Sequence, residues 1–322
     1  MTQIALEPIS SIKELQRRIR SLATQKNAII LSHYYQRPEI QDIADFVGDS
    51  LALARQAQKT KADIIILAGV YFMAETAKLL NPDKKVFIPD VNAGCSLVES
   101  CPPIPFKQFI EQYDNRFVMT YINSSIEIKA MSDIICTSSN ALKLVQMVPP
   151  DKTLIFAPDR HLGEFLQRVT GREMVIWPGQ CIVHEEFSAD QIKELKKKYP
   201  DAKVIVHPEC GSSLLEIADF VGSTGQLLKF VQQDSAKRYI VGTEEGIVHQ
   251  MRKHAPDKEF IVVPPVIGCV ACQQCPYMKL NTLEKIYNIL LNEPAENEII
   301  IPEDLAERAR IPVERMLEWT DK

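Results

Sequence analysis

The hexapeptide Ile-Ala-Asp-Phe-Val-Gly occurs twice in the chain, at Ile43–Gly48 and at Ile217–Gly222, inside longer matching stretches that begin at His33 and His207. A third, weaker copy lies between them, carried by Thr120-Tyr-Ile-Asn-Ser124 and Asp133-Ile-Ile-Cys-Thr-Ser-Ser-Asn140. The copies align residue by residue: His33 with Tyr121 and His207, Tyr35 with Asn123 and Glu209, Ser50 with Ser138 and Thr224. Each copy then runs through two further strand-like segments to a cysteine, Cys95, Cys181 and Cys269. A unit written three times predicts three related domains. Their expected extents are 1–102 (with an N-terminal helix), 103–187 and 188–322 (with a C-terminal tail).

Within each unit, strand and helix patterns alternate. Ser11-Ile-Lys-Glu14 is a capping-box sequence that opens an amphipathic helix to about Thr24, and Ala28–Tyr34 follows as an apolar strand. The stretch Asp45–Gly48 is ambiguous alone, but its counterpart Asp133-Ile-Ile-Cys136 is β-branched and favours a short strand. Helices are expected at Leu51–Lys59, Ala141–Met147 and Leu227–Gln233, then strands at Ile64–Leu67, Leu154–Phe156 and Tyr239–Val241. A second helix and a last apolar strand close each unit before Pro89, Pro178 and Pro264. Continuous apolar strands alternating with helices point to parallel sheets covered on both faces. The expected fold class is therefore α/β: three α/β/α sandwiches related by a pseudo-threefold axis around a central cavity. After Pro276 a helix at Leu283–Leu291, an acidic linker and a short final helix around Glu303–Arg308 are expected.

An apolar fraction of 46% and a charged fraction of 25% are those of a globular protein. A net charge of −5 without a block of basic residues argues against nucleic acid as a partner. The longest apolar run, Ile64–Ala74, is far short of the roughly 20 residues a bilayer requires, and the first residues lack a signal-peptide core. The expectation is a cytoplasmic protein with no membrane partner.

Ligands of parallel sheets bind beyond the carboxyl ends of the strands, where the repeat places the nine aligned side chains and the cysteines. Ser50, Ser138 and Thr224 stand where helices begin, so they serve either as plain N-caps or as part of an anion site built from helix N-termini. Glu209, two residues past an apolar strand, is placed as a general base, with a surface salt bridge as the alternative. Cys269, Cys272 and Cys275 fall within seven residues, which suits iron–sulfur ligation or a structural zinc. Cys95 and Cys181 fit a metal site assembled from three domains. Cys101, Cys136 and Cys210 read as small buried hydrophobes.

These motifs, in this order, resemble the quinolinate synthase family: His33-Tyr-Tyr-Gln36, Asp45-Phe-Val-Gly-Asp-Ser50, Gly69-Val-Tyr-Phe-Met-Ala-Glu75, Ala93-Gly-Cys-Ser96, Tyr121-Ile-Asn123, Ser138-Ser-Asn140, Pro178-Gly-Gln-Cys-Ile-Val-His184, His207-Pro-Glu-Cys210 and the cysteine cluster before Pro276-Tyr-Met278. The resemblance implies a [4Fe–4S] cluster held by one cysteine per domain, and condensation of iminoaspartate with dihydroxyacetone phosphate to quinolinate, with loss of phosphate and water, in NAD biosynthesis. It implies Cys95 and Cys181 as cluster ligands. For the third ligand the repeat points to Cys269 and the family pattern to Cys275, which is preferred because Pro276-Tyr-Met278 fixes the family position. Cys269 and Cys272 then stay free and able to form a disulfide on oxidation. The resemblance further implies substrate contacts from His33, Ser50, Tyr121, Asn123, Ser138, His207, Glu209 and Thr224, with Tyr35 and Glu209 as an acid–base pair, Glu209 near the cluster's open iron, and His207 and Tyr121 as catalytic residues with them. Functional coupling to an aspartate-oxidising enzyme follows from the same family. The rivals are another iron–sulfur hydro-lyase, a non-catalytic zinc or iron–sulfur redox sensor, and a sugar- or amino-acid-binding module.

Overall fold

The computed structural model describes residues 11–265 and 273–322. The first unit comprises α1 (Ile12–Gln25), β1 (Ala28–His33), α2 (Pro38–Gln41), β2 (Phe46–Gly48), α3 (Ser50–Lys59), β3 (Ile64–Ala68), α4 (Tyr71–Leu80), β4 (Lys85–Phe87) and α5 (Ser96–Glu99). The second comprises α6 (Pro103–Ile110), β5 (Arg116–Tyr121), α7 (Ile126–Ala130), β6 (Ile134–Cys136), α8 (Ala141–Met147), β7 (Thr153–Ala157), α9 (Arg160–Thr170) and β8 (Val175–Ile176). The third comprises α10 (Ala189–Lys198), β9 (Lys203–Val206), α11 (Ser212–Leu215), β10 (Phe220–Val221), α12 (Thr224–Gln233), β11 (Arg238–Gly242), α13 (Ile247–His254) and β12 (Glu259–Val262). Two helices, α14 (Leu283–Asn292) and α15 (Glu303–Asp321), complete the chain.

The three four-stranded sheets have one topology: β2-β1-β3-β4, β6-β5-β7-β8 and β10-β9-β11-β12, with every pairing parallel. Their register also repeats, since Leu31 pairs with Phe46, Met119 with Ile134 and Ile205 with Phe220. Both faces of each sheet are apolar, because successive side chains of a strand point to opposite sides. Ile30 and Ile66 pack with α1 and α14, whereas Leu31, Ile65 and Leu67 join the core that contains α3 and α4. Val118 and Ile155 pack with Phe106 and Ile110 of α6, and Val204 and Ile240 with Ile192 of α10. The fold is thus three α/β/α sandwiches, as expected.

A second signature repeats with the same spacing. Asp45, Asp133 and Asp219 each precede the outer strand. Each carboxylate accepts the backbone N–H of the neighbouring strand, from Ile30 (2.8 Å), Val118 (2.7 Å) and Val204 (2.7 Å). Each Asp backbone N–H donates back to the carbonyl of that same residue. This reciprocal pair closes the ladder where β1, β5 and β9 would otherwise present an unpaired donor.

The C-terminus departs from expectation. In place of a short helix near Glu303–Arg308, α15 continues through Pro312 to Asp321. An interior proline removes one helical hydrogen bond, but here it lies on the buried stripe Ala309, Pro312, Val313, Met316 and Leu317, which joins the core of the first and second sandwiches. Polar contacts hold the helix to both: Arg310 Nε donates to the Leu79 carbonyl at 2.9 Å, and Asn140 Nδ2 to Thr320 Oγ1 at 2.8 Å. Among the described residues no helix is long and apolar enough to cross a membrane.

Replacing Asp219 by Ala is expected to lower unfolding free energy by about 1–3 kcal/mol, the cost of leaving the Val204 N–H unmatched. Asp219→Asn, which keeps an acceptor, is expected to lose less; urea unfolding of the two variants checks the order.

Candidate active site

The carboxyl ends of the three sheets open onto one cavity, and all nine repeat-aligned residues line it. His33 and Tyr121 end β1 and β5, His207 follows β9, and Tyr35, Asn123 and Glu209 stand two residues further on. The two histidines are held alike: Nδ1 of His33 accepts the Tyr35 N–H (3.1 Å), and Nδ1 of His207 accepts the Glu209 N–H (3.3 Å). Each ring therefore carries its proton on Nε2. His207 Nε2 lies 3.2 Å from Ser138 Oγ. Burial, the largest cause, pushes both imidazoles down to about 3, so both are neutral donors at neutral pH.

Ser50 and Thr224 are not helix caps. Asp49 caps α3, accepting the Ala52 N–H, and Ser223 caps α12 in a capping box with Gln226. The hydroxyls of the next residues, Ser50 and Thr224, are left to the cavity wall. Ser138 lies outside a helix altogether, since α8 begins at Ala141 after a turn in which Asn140 Oδ1 accepts the Thr137 N–H at 2.7 Å. The plain-capping alternative therefore fails. The caps also join the sandwiches. Ser139 donates to Asp49 Oδ2 (2.6 Å) and its oxygen lies 2.8 Å from Ser223 Oγ, so one residue from each sandwich meets at a single node.

Glu209 is at the centre of the buried polar groups. Tyr121 donates to its Oε1 at 2.5 Å, and His184 Nδ1 lies 3.0 Å from Oε2, at ion-pair distance though not aligned as a hydrogen bond. Burial acts to raise its pKa, but His184, His207 and the Tyr121 hydroxyl outweigh that and hold the carboxylate below its ordinary range. His184 Nε2 lies 2.9 Å from Thr243 Oγ1, which lies 2.7 Å from the Tyr35 hydroxyl. A chain of polar contacts thus runs Tyr35–Thr243–His184–Glu209–Tyr121 across all three sandwiches. Both tyrosines are pushed well above 10 by burial and then by Glu209, and remain protonated. The surface-salt-bridge alternative for Glu209 fails, because it is buried.

His184 and Thr243 are the residues that sequence reasoning missed. His184 ends the Cys181-Ile-Val-His184 stretch, and Thr243 directly follows β11, at the same sheet end that singled out the other residues. Extending the strand-end argument from the first strand of each unit to the third finds Thr243 and its neighbour Glu244.

Cys95, Cys181 and Cys275 line the same cavity. Burial pushes the Cys95 thiol up to about 12 and the Cys275 thiol up to about 11. Cys181 is raised well above 9, and the shifts of Cys95 and Cys181 include repulsion from the other thiols. Three converging soft donors, half-buried in the cavity wall and mutually repelling as thiolates, fit a bound metal group whose positive charge draws off their protons. Cys181, His184 and Glu209 also form a compact set, with donor atoms within 4.8 Å of one another. Asn123 Nδ2 lies 4.0 Å from Cys95 Sγ, and its buried Oδ1 has no partner among the described residues. Cys101, Cys136 and Cys210 are buried in the apolar cores. Cys269 and Cys272, and any disulfide between them, lie outside the described residues.

The neutral histidines predict an acid-sensitive protein. The unfolded chain binds protons on His33 and His207 near pH 6.5 and the folded one only near 3, so stability falls as pH drops through that window. In urea unfolding between pH 7 and 4, His207→Asn is expected to flatten the acid limb relative to the wild type.

Residues 17–318 match the family model described as quinolinate synthetase A protein. Curated proteins named quinolinate synthase are similar along nearly their whole length. That of Nostoc punctiforme is 56% identical over 302 residues, covering 94% of this chain and 92% of the relative. That of Microcystis aeruginosa is 55% identical over 311 residues (97% and 94%), and that of Cyanophora paradoxa 52% over 312 residues (97% and 94%). With a threefold α/β/α scaffold, three thiols and a buried carboxylate facing one cavity, and these matches over the full repeat, the chain belongs to the quinolinate synthase family of enzymes.

Proposed function

We propose that this enzyme condenses iminoaspartate with dihydroxyacetone phosphate to give quinolinate, releasing phosphate and water, and uses a [4Fe–4S] cluster held by Cys95, Cys181 and Cys275. The observation that carries the reading is the meeting of three thiols with the Tyr35–Glu209 chain in one cavity. Cys275 is preferred over Cys269 as third ligand, because its place in the wall beside Cys95 and Cys181 supports the family pattern. When bound, the cluster supplies one iron without a protein ligand, a Lewis acid for the dehydration.

The chain's own residues do the rest. The substrates carry carboxylates and a phosphate. The N-termini of α3 and α12, with Ser50 and Thr224 as their first residues, favour such anions through unpaired N–H groups and the helix dipole. The Nε2–H groups of His33 and His207, with Ser138, Asn123 and Tyr121, add neutral donors that orient the anions without forming buried ion pairs. Glu209, ionised and close to Cys181, is the general base that removes a substrate proton. Tyr35, joined through Thr243 to His184 beside Glu209, is the general acid for the departing hydroxide, and the proton taken up by Glu209 balances the one it gives. Tyr121, hydrogen-bonded to Oε1, fixes which carboxylate oxygen faces the substrate.

Such a reaction belongs to NAD biosynthesis in the cytoplasm, a reducing compartment that suits free thiols. Because an imine hydrolyses readily in water, an aspartate-oxidising enzyme close by is the supply it implies. A second reading, a single divalent ion on Cys181, His184 and Glu209, is favoured by their close spacing. Anaerobic metal analysis separates the two: about four irons and four sulfides per chain support the cluster, and about one zinc without sulfide supports the single ion.

Glu209→Gln is expected to keep its iron while quinolinate formation from the two substrates falls about 100-fold or more; near-normal turnover rejects the general-base role. Cys275→Ser is expected to lose the iron–sulfur absorbance, and a variant that keeps both cluster and activity returns the third ligand to Cys269.

A further inference from the structure

Glu244 is fully buried in the cavity wall yet has no part in the Tyr35–Tyr121 chain. It stands two residues past the end of β11, where the second sandwich has Asp159 and the first has Val70. Both its oxygens are engaged. Oε2 accepts the Gly246 N–H at 2.7 Å; Oε1 accepts the Cys275 N–H at 3.1 Å and lies 2.8 Å from Lys279 Nζ. Lys279 Nζ also donates to the Tyr35 carbonyl at 2.6 Å, and the Lys279 N–H donates to the Cys275 carbonyl at 3.2 Å. Gly246 presses on the same first-sandwich turn: a Cβ there would sit 2.9 Å from the Tyr34 carbonyl oxygen. A buried ion pair recovers little net stability after desolvation, so its place is better explained by the geometry it imposes. The geometry it imposes here is shared between the Cys275 backbone and the Tyr35 backbone.

We propose that Glu244 and Lys279 are positioning residues, Glu244 anchoring the main chain of Cys275 so that its thiol is held for the cluster, and Lys279 tying that anchor to the Tyr35 turn. The inference rests on Cys275 being a cluster ligand. Groups behind a metal ligand fix its orientation, and their loss typically costs about 10–100-fold in metal affinity or activity.

The test compares Glu244→Gln with Glu244→Leu, each combined with Lys279→Met and each reconstituted anaerobically with iron and sulfide. The two replacements are neutral and of similar size, but only Gln offers an oxygen to the Cys275 N–H. With Lys279 also removed no buried charge is left unpaired, but the Leu protein leaves the Cys275 and Gly246 N–H groups unmatched and is expected to melt somewhat lower when metal-free, so iron release is compared at equal distances below each protein's own melting midpoint. The Leu protein is expected to release iron to EDTA about tenfold faster than the Gln protein. Equal release rates overturn the anchoring role, since a purely structural contribution would follow the melting temperatures. If the Lys279→Met background does not fold, the same comparison in the single variants reads the same quantity. The Gln/Met protein is further expected to keep its iron but lose about tenfold in kcat with KM nearly unchanged; a wild-type kcat overturns the tie to Tyr35. Absence of iron and sulfide from the wild type itself overturns the cluster reading, and that failure is recognised without any variant.

Discussion

The contact among Asp49, Ser139 and Ser223 is the constraint on which the cavity depends. Each residue comes from a different sandwich, and two of them also cap the helices whose first turns face the cavity. A parallel sheet places ligands at its carboxyl end without fixing where a neighbouring sheet's end will be. This node supplies that missing relation. Its tightness shows at Gly225, where a Cβ would stand 2.8 Å from Asp49 Oδ2, so a larger residue there would displace the Asp49 carboxylate from the node. With the three segments pinned to one point, the strand-end residues of all three units fall within reach of a single small substrate.

The electrostatics of the cavity follow from that closeness. Water is largely excluded, and an excluded site penalises every charge. Imidazoles, phenols and thiols respond by staying neutral: His33 and His207 are pushed down, while Tyr35, Tyr121 and the three cysteines are pushed up. Glu209 is the exception, an ionised carboxylate kept so by the His184 contact, His207 and the Tyr121 hydrogen bond. A carboxylate that stays charged among protonated acids is free to accept a proton, which is what its proposed role as base needs. The same surroundings keep the thiols neutral, since three neighbouring thiolates would repel one another until a cation offsets their charge.

What the sequence revealed depended on symmetry. The aligned set from His33 to Thr224 was legible because three copies stand in register, and register is a statement about the backbone that survives changes of side chain. His184 and Thr243 were not legible in that way: their roles belong to one copy only, so no repeat pointed to them. Asp45, Asp133 and Asp219 were present in every copy but looked like ordinary acids, because a carboxylate that closes a strand ladder has no spacing of its own. The extent of α15 was hidden by Pro312. Local chemistry argues for a break there, and the packing of Val313, Met316 and Leu317 overrides it.

The threefold frame and the chemistry use the chain differently. Where side chains hold the frame, the three units agree: the same strand order, the same register and the same Asp-to-backbone clamp. Just beyond the strand ends they diverge, as in Tyr35, Asn123 and Glu209, or Val70, Asp159 and Glu244. A symmetric cavity lined by three like charges would repel itself in a dry interior, and three like acids could not also serve as a base. Divergence lets one position hold a protonated phenol, its counterpart a neutral amide and the third an ionised carboxylate, all at equivalent places in the frame. The repeat thus supplies those places, and the physical cost of burying like groups together accounts for their being filled unequally.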